Sequence, residues 1–307
     1  MANLIAEYSR NRRLRQRMRE APILAFLFMC ALASIGTTVG IVIVLLEGAL
    51  QFFREVPVFE FLTGTEWTPL FSNKQFGVLP LLSATVVISF AALAIAVPVG
   101  LLTAVYLSEY APEGVRSIVK PVLEVLAGIP TVVLGYFAIS FINPTIIKPL
   151  FSTETPFTAL GAAMAMGVML IPMVASLSED AMRAVPASLR EGAYAVGSDR
   201  FQVSVKVVVP AALSGIVAAA LLALARAVGE TMIVTIAAGS IANFSANPLE
   251  PMQTMTAYIA QVVFGDTERG GVEYQSVFAV GLLLFIFTLS INMLAQAVLA
   301  RFREIYD

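Results

Sequence analysis

The chain has 307 residues, of which 58% are hydrophobic and 13% charged, against roughly 25% charged in a soluble domain. It contains no His and a single Cys, so a zinc site, a Cys–His or Ser–His catalytic pair and an internal disulfide are all excluded. The net charge of −2 gives no footing for a nucleic-acid partner.

The first 20 residues carry Arg10, Arg12, Arg13, Arg15, Arg17 and Arg19 and read as a basic cytoplasmic tail. Six uncharged windows follow: Ala21–Leu46, Gln75–Ser108, Val125–Ile147, Thr155–Ser178, Val207–Ala225 and Tyr274–Ala300. Each reaches the ~18 residues of a candidate spanning helix. They are too long and too uniformly apolar for barrel strands. The expectation is an all-α integral membrane protein with six transmembrane helices over 21–307. The first window is too long for a signal-peptide core and no Ala-x-Ala cleavage site closes it, so it reads as an uncleaved span. With six spans and a cytoplasmic amino end, the carboxyl end is cytoplasmic too. The basic residues support that: 14 fall on predicted cytoplasmic segments and 4 outside, with Arg226 left inside a span.

Two segments, about 47–74 and 241–273, face outward in this topology and are long enough to be functional. Pro98, Pro130 and Pro172 sit inside spans and predict kinks. No glycine-rich turn leads into Gly-Lys-Ser/Thr, so the chain has no phosphate loop for ATP. No internal repeat is visible.

Between spans four and five, Ser188 and Glu191 have capping-box spacing, which predicts a helix start. Gly197 is placed to end that helix in the left-handed conformation, and Ser198 or Asp199 to cap the next, which runs to Pro210. The predicted object, over about 186–210, is a short helix, a tight bend and a second helix. A plain capped hairpin would read the same way. The full spacing of Glu191, Gly192, Ala193, Gly197, Val207, Val209 and Pro210, however, resembles the Glu-Ala-Ala loop of ABC importer permeases. Gly192 stands where that motif usually has Ala. The resemblance implies that this loop couples to a separate ATPase subunit.

Further stretches are similar to the C-type permease subunits of phosphate ABC importers (the PstC family). They are Phe61-Leu62 with Trp67 and Pro69, Tyr106–Pro112, Glu124–Val133, Leu177–Pro186 and Ala225–Met232. The resemblance runs from about residue 60 to the end, and the first 60 residues lack a distinctive match. It implies a type-1 ABC importer permease fold with its core at about 78–300, in the bacterial plasma (inner) membrane. It also implies a heterodimer with an A-type permease, an ATPase dimer that binds ATP and Mg, and an extracytoplasmic phosphate-binding protein. This chain is then a non-catalytic subunit with no cofactor of its own.

Arg226 and Glu230 are four apart, which predicts one face of one helix inside span five. An ionised residue there costs ~2.5–3.5 kcal/mol on insertion scales and faces the bundle interior by default. A guanidinium offers forked donors suited to phosphate oxygens. Substrate contact and a gating or structural pair both remain open. A secondary transporter or channel, a membrane scaffold, and a permease for sulfate, molybdate or another oxyanion are the competing readings.

Overall fold

The computed structural model describes residues 2–268 and 270–302, with side chains from 20 to 298. The side chains of the arginine-rich tail, Arg269, Arg301 and Arg303, and the carboxyl end at Asp307, lie outside the described residues. Among the described residues the secondary structure is helical, apart from one isolated bridge between Trp67 and Phe76. Five helical stretches are long and apolar enough to cross a membrane, and a bent pair makes a sixth.

In chain order, α1 (Ala2–Phe52) is followed by the short α2 (Val58–Thr63). Then comes α3 (Leu79–Val105), which runs into a π-helical turn at Tyr106–Tyr110. Next are α4 (Glu113–Ala127) and α5 (Thr131–Phe137), the latter continued by a π-helical stretch Ala138–Ile147 and α6 (Lys148–Phe151). α7 (Ala159–Arg183) precedes α8 (Ala187–Ala195) and α9 (Arg200–Val203). A π-helical turn Ser204–Val208 leads through α10 (Val209–Ala211) into α11 (Leu213–Val228). α12 (Met232–Ala237), α13 (Met255–Phe264) and α14 (Val272–Phe302) complete the chain.

Three expectations are corrected here. The third span starts at Thr131, not Val125, because Pro130 sits at the N-cap of α5 and Gly128–Pro130 separates it from the amphipathic α4. Pro130 therefore begins a helix instead of kinking one, whereas Pro98 and Pro172 do lie inside α3 and α7. Span five, expected over Val207–Ala225, is broken within that window: the stretch Arg200–Ala211 meets Leu213–Val228 at 67°. Pro210 lacks the N–H that an uninterrupted helix needs there, and the chain turns just after it.

The core forms where α3 and α7 lie side by side. Ala92, Ala96, Ala162, Ala163, Ala165 and Met166 are fully or nearly fully buried in this seam. Small residues permit that approach, as is usual between membrane helices. A Cβ at Gly100 would come within 2.8 Å of the Val174 side chain. α1 packs along α14, and a Cβ at Gly48 would overlap the Phe278 ring. Its flank from Ile23 to Val39 is exposed and apolar, as a lipid-facing span should be.

The chain between α11 and α14 is more than a connector. α13 is buried at Met255, Thr256, Ala257 and Tyr258, and the Met255 N–H donates to Thr85 Oγ1 of α3 at 3.2 Å. Near it, at the start of α3, Phe52, Phe61, Trp67, Phe76 and Tyr258 meet edge to face. Lys74 and Glu273 pair across this end. α3 and its π turn thus link two ends of the molecule, one built on Trp67 and one on Gly197.

Candidate functional site: the bend and the charged helix ends

The helix–bend–helix forms as expected, with one change of cap. Pro186 occupies the N-cap of α8, so Ser188 already lies within the first turn and its hydroxyl caps nothing. The expected Ser188–Glu191 capping box is absent, and Glu191 is exposed. At the other end Gly197 has φ +87°. Its N–H donates to Tyr194 O at 3.0 Å, and the Ser198 N–H to Ala193 O at 3.1 Å. Those two bonds are the Schellman pattern, which satisfies the last carbonyls of α8. Asp199, not Ser198, caps α9: its Oδ1 accepts from Gln202 N at 2.7 Å, and Gln202 Oε1 accepts from Asp199 N at 3.3 Å.

α8 buries no residue. Ala193 alone on its inner side leans on the cluster of Met182, Val185, Val203 and Val208. Glu191 and Gly192 face outward, and nothing lies within 4 Å of where a Gly192 Cβ would be. Pro210 sits where the bend enters span five.

Around this bend the ends of three other helices meet through charge. Glu109, in the π turn that ends α3, is 8% exposed. It accepts from Arg190 Nη2 at 3.1 Å and from Ser108 Oγ at 2.8 Å. Glu179, near the end of α7, is fully buried. Arg116 (2.8 Å) and Lys120 (2.7 Å) of α4 both reach it. Lys120 also pairs with Asp180 at 2.5 Å. Burial works against the Lys120 charge, but the bonds to Asp180 and Glu179 outweigh it and hold the ammonium above its usual range. Arg200 lies 5.1 Å from the Tyr110 ring, a cation–π contact between α9 and the same π turn. Stripping one partner from a buried pair of this kind costs about 3–5 kcal/mol, because the other charge stays buried.

Sequence reasoning passed over Glu109, Arg190, Glu179, Arg116 and Lys120. A signal was present for the two acids. Glu109 directly follows the charge-free window ending at Ser108, and Glu179 directly follows the one ending at Ser178.

Arg226 and Glu230 do not share one helix as expected. α11 ends at Val228, Gly229 caps it, and a new helix starts at Met232. The Glu230 carboxylate turns away to accept from the Met232 and Ile233 N–H groups at 3.1 and 3.2 Å. Its backbone carbonyl accepts from Thr256 Oγ1 at 2.8 Å, tying the break to α13. The pairing of Arg226 with Glu230 inside one helix is thereby corrected: the acid is committed to the backbone of the break. Arg226 lies about 20 Å along α11 from its start. It stands on an exposed face and makes no ion pair among the described residues.

Residues 96–304 match the family described as binding-protein-dependent transport system inner membrane component. A probable ABC transporter permease, YqgH of Bacillus subtilis, is 36% identical over 273 residues, covering 87% of this chain and 88% of the relative. The phosphate transport system permease protein PstC of Mesorhizobium japonicum is 33% identical, with 85% of this chain and 84% of that protein covered. A solved bacterial ABC transporter that imports the acidic polysaccharide alginate contains a similar chain. It matches at a TM-score of 0.65 and 15% identity, over 95% of this chain and all of that one. An inward-facing methionine transporter, MetNI, matches at a TM-score of 0.56 and 22% identity, over 74% of this chain and 95% of that one.

Proposed function

The chain belongs to the family of binding-protein-dependent transport system inner membrane components, and from that premise we propose that it carries inorganic phosphate into the cytoplasm. It is a multi-pass inner-membrane permease subunit of an ABC importer, with a type-1 importer fold. Subunits of this family work with ATPase subunits and a binding protein outside the membrane. The similarity to PstC proteins, at 33% identity over most of both chains, is the observation that supports phosphate as the substrate.

In this reading the Gly197 end and both termini are cytoplasmic, and the Trp67 end faces the binding protein. The permease proper occupies residues 21–307 behind the basic tail of 1–20, with its core at about 78–300. The coupling loop, 186–210, docks on one member of an ATPase dimer, which binds ATP and Mg. Glu191, Gly192 and Ala193 form the docking helix, Gly197 sets its bend, and Pro210 passes the motion into the bent fifth span.

An A-type permease covers the face that carries Arg226. A lone guanidinium on lipid costs ~2.5–3.5 kcal/mol, so this face belongs against a partner or a watery route. Arg226 then meets phosphate oxygens with its forked donors. Glu230 shapes the break beside it by capping α12, a positioning role, and leaves Arg226 without a counter-ion among the described residues.

The test is purification of the tagged chain in mild detergent with whatever binds it. An A-type permease and an ATPase should co-purify, and phosphate-loaded binding protein should stimulate ATP hydrolysis where sulfate- or molybdate-loaded protein does not. Stimulation by sulfate or molybdate instead would replace phosphate with that oxyanion.

A further inference from the structure

α8 is the part of the chain proposed to receive the ATPase stroke, yet it buries no residue against the rest of the chain. Apolar packing alone therefore gives it little purchase. Among the described residues its polar side-chain hold is Arg190. From α8, Arg190 donates from Nη2 to Met182 O at 2.8 Å and from Nη1 to Val185 O at 2.7 Å. The same guanidinium reaches both oxygens of Glu109, at 3.1 Å from Nη2 and 3.5 Å from Nε. Met182 lies in the last turn of α7 and Glu109 in the π turn that follows α3, so α8 and the ends of two spans meet on one planar group.

The two bodies that Arg190 joins to α8 are the same two whose seam forms the core, α3 and α7. We infer that Arg190 is the positioning residue through which displacement of α8 enters the membrane: it locks α8 to the ends of spans two and four so that the three move as one. The geometry suits the task. A planar fork fixes direction as well as distance, which an ammonium on a flexible stem does not. The buried Glu109 carboxylate has Ser108 as its other side-chain partner among the described residues, so releasing Arg190 is costly. The π turn carrying Glu109 is a departure from α geometry of the kind that often marks functional positions.

This inference rests on the reading that α8 meets the ATPase, and the two are separable by experiment. In a Cys30→Ser background, Val196→Cys places a thiol on the exposed outer end of α8, and Leu102→Cys places one on exposed α3. Cross-linking of Val196→Cys to the ATPase in the whole complex tests docking, and its absence removes the docking reading and this inference with it. Spin labels on the two cysteines then report the α8–α3 distance with and without vanadate-trapped nucleotide. With Arg190 present, the distance should stay constant between the two states. In Arg190→Gln it should shift and broaden on trapping while the cross-link persists. Glu109→Gln, which keeps an acceptor and needs no counter-charge, should show the same loss and decides the matter if Arg190→Gln does not accumulate. A distance that stays constant in the variants, or loss of the cross-link in Glu109→Gln, overturns the role.

Discussion

At the Gly197 end, helix termini meet through Arg190–Glu109 and through Arg116 and Lys120 on Glu179, beside an aliphatic cluster of Met182, Val185, Val203 and Val208. At the Trp67 end, Phe52, Phe61, Phe76 and Tyr258 surround a tryptophan that is 4% exposed, and the ion pair Lys74–Glu273 lies at the margin. The physics of the two differs. Edge-to-face aromatic packing is strong but tolerant of small shifts, so it stabilises a cap without dictating a path of motion. Buried ion pairs add little net stability over apolar packing but demand one geometry, so they suit a joint that must pass on a displacement. One end is built to seal and the other to transmit.

That contrast makes predictions that separate stability from coupling. Trp67→Ala should produce the largest stability loss, about 3–5 kcal/mol, through the cavity left among the rings. Its unfolding temperature in detergent should fall clearly, while the uptake that remains per folded complex stays fully ATP-dependent. Gly197→Val should do the reverse. Nothing lies within 4 Å of a Cβ there, so the cost is backbone strain at φ +87°, about 1–3 kcal/mol. The chain should still insert and accumulate, with ATPase attachment or uptake lost. Normal uptake in Gly197→Val would reduce the bend to a connector.

Arg226→Lys keeps charge and loses the fork. It should lower uptake while the complex still assembles and hydrolyses ATP. The companion Arg226→Gln/Glu230→Gln sharpens this, because the Glu230 carboxylate is engaged by the backbone of the α11–α12 break. Recovery of uptake in the double variant would mean that Arg226 and Glu230 pair with each other during transport, a structural role in place of substrate contact. Glu191→Ala is the mildest change. With the expected capping box absent, the carboxylate contributes nothing to α8 itself, and chain stability should stay within about 0.5 kcal/mol, as for ordinary surface positions. Any drop in uptake then reports contact with the ATPase alone.

Most of the architecture could be read because lipid imposes a simple rule: long charge-free windows must be helices. The bend could be read as well, since Gly197 and the Asp199–Gln202 spacing are local signals. What stayed hidden was either a choice between equivalent local options or a long-range contact. Pro186 displaced Ser188 as the cap of α8, two residues earlier than the spacing suggested. The helix break at Gly229 separated Arg226 from Glu230, although Gly229 itself was the visible clue. The joins of Arg190 to Glu109 and of Arg116 to Glu179 cross 81 and 63 positions. No periodicity spans such separations, and only the fold brings those charges together.

The most direct test of the whole account is uptake of radiolabelled phosphate by proteoliposomes holding the complete complex, with ATP enclosed and phosphate-loaded binding protein outside. Uptake should require hydrolysable ATP, persist in excess sulfate and be absent with Gly197→Val. Uptake that continues with a non-hydrolysable analogue, or that excess sulfate suppresses as strongly as unlabelled phosphate, would contradict it.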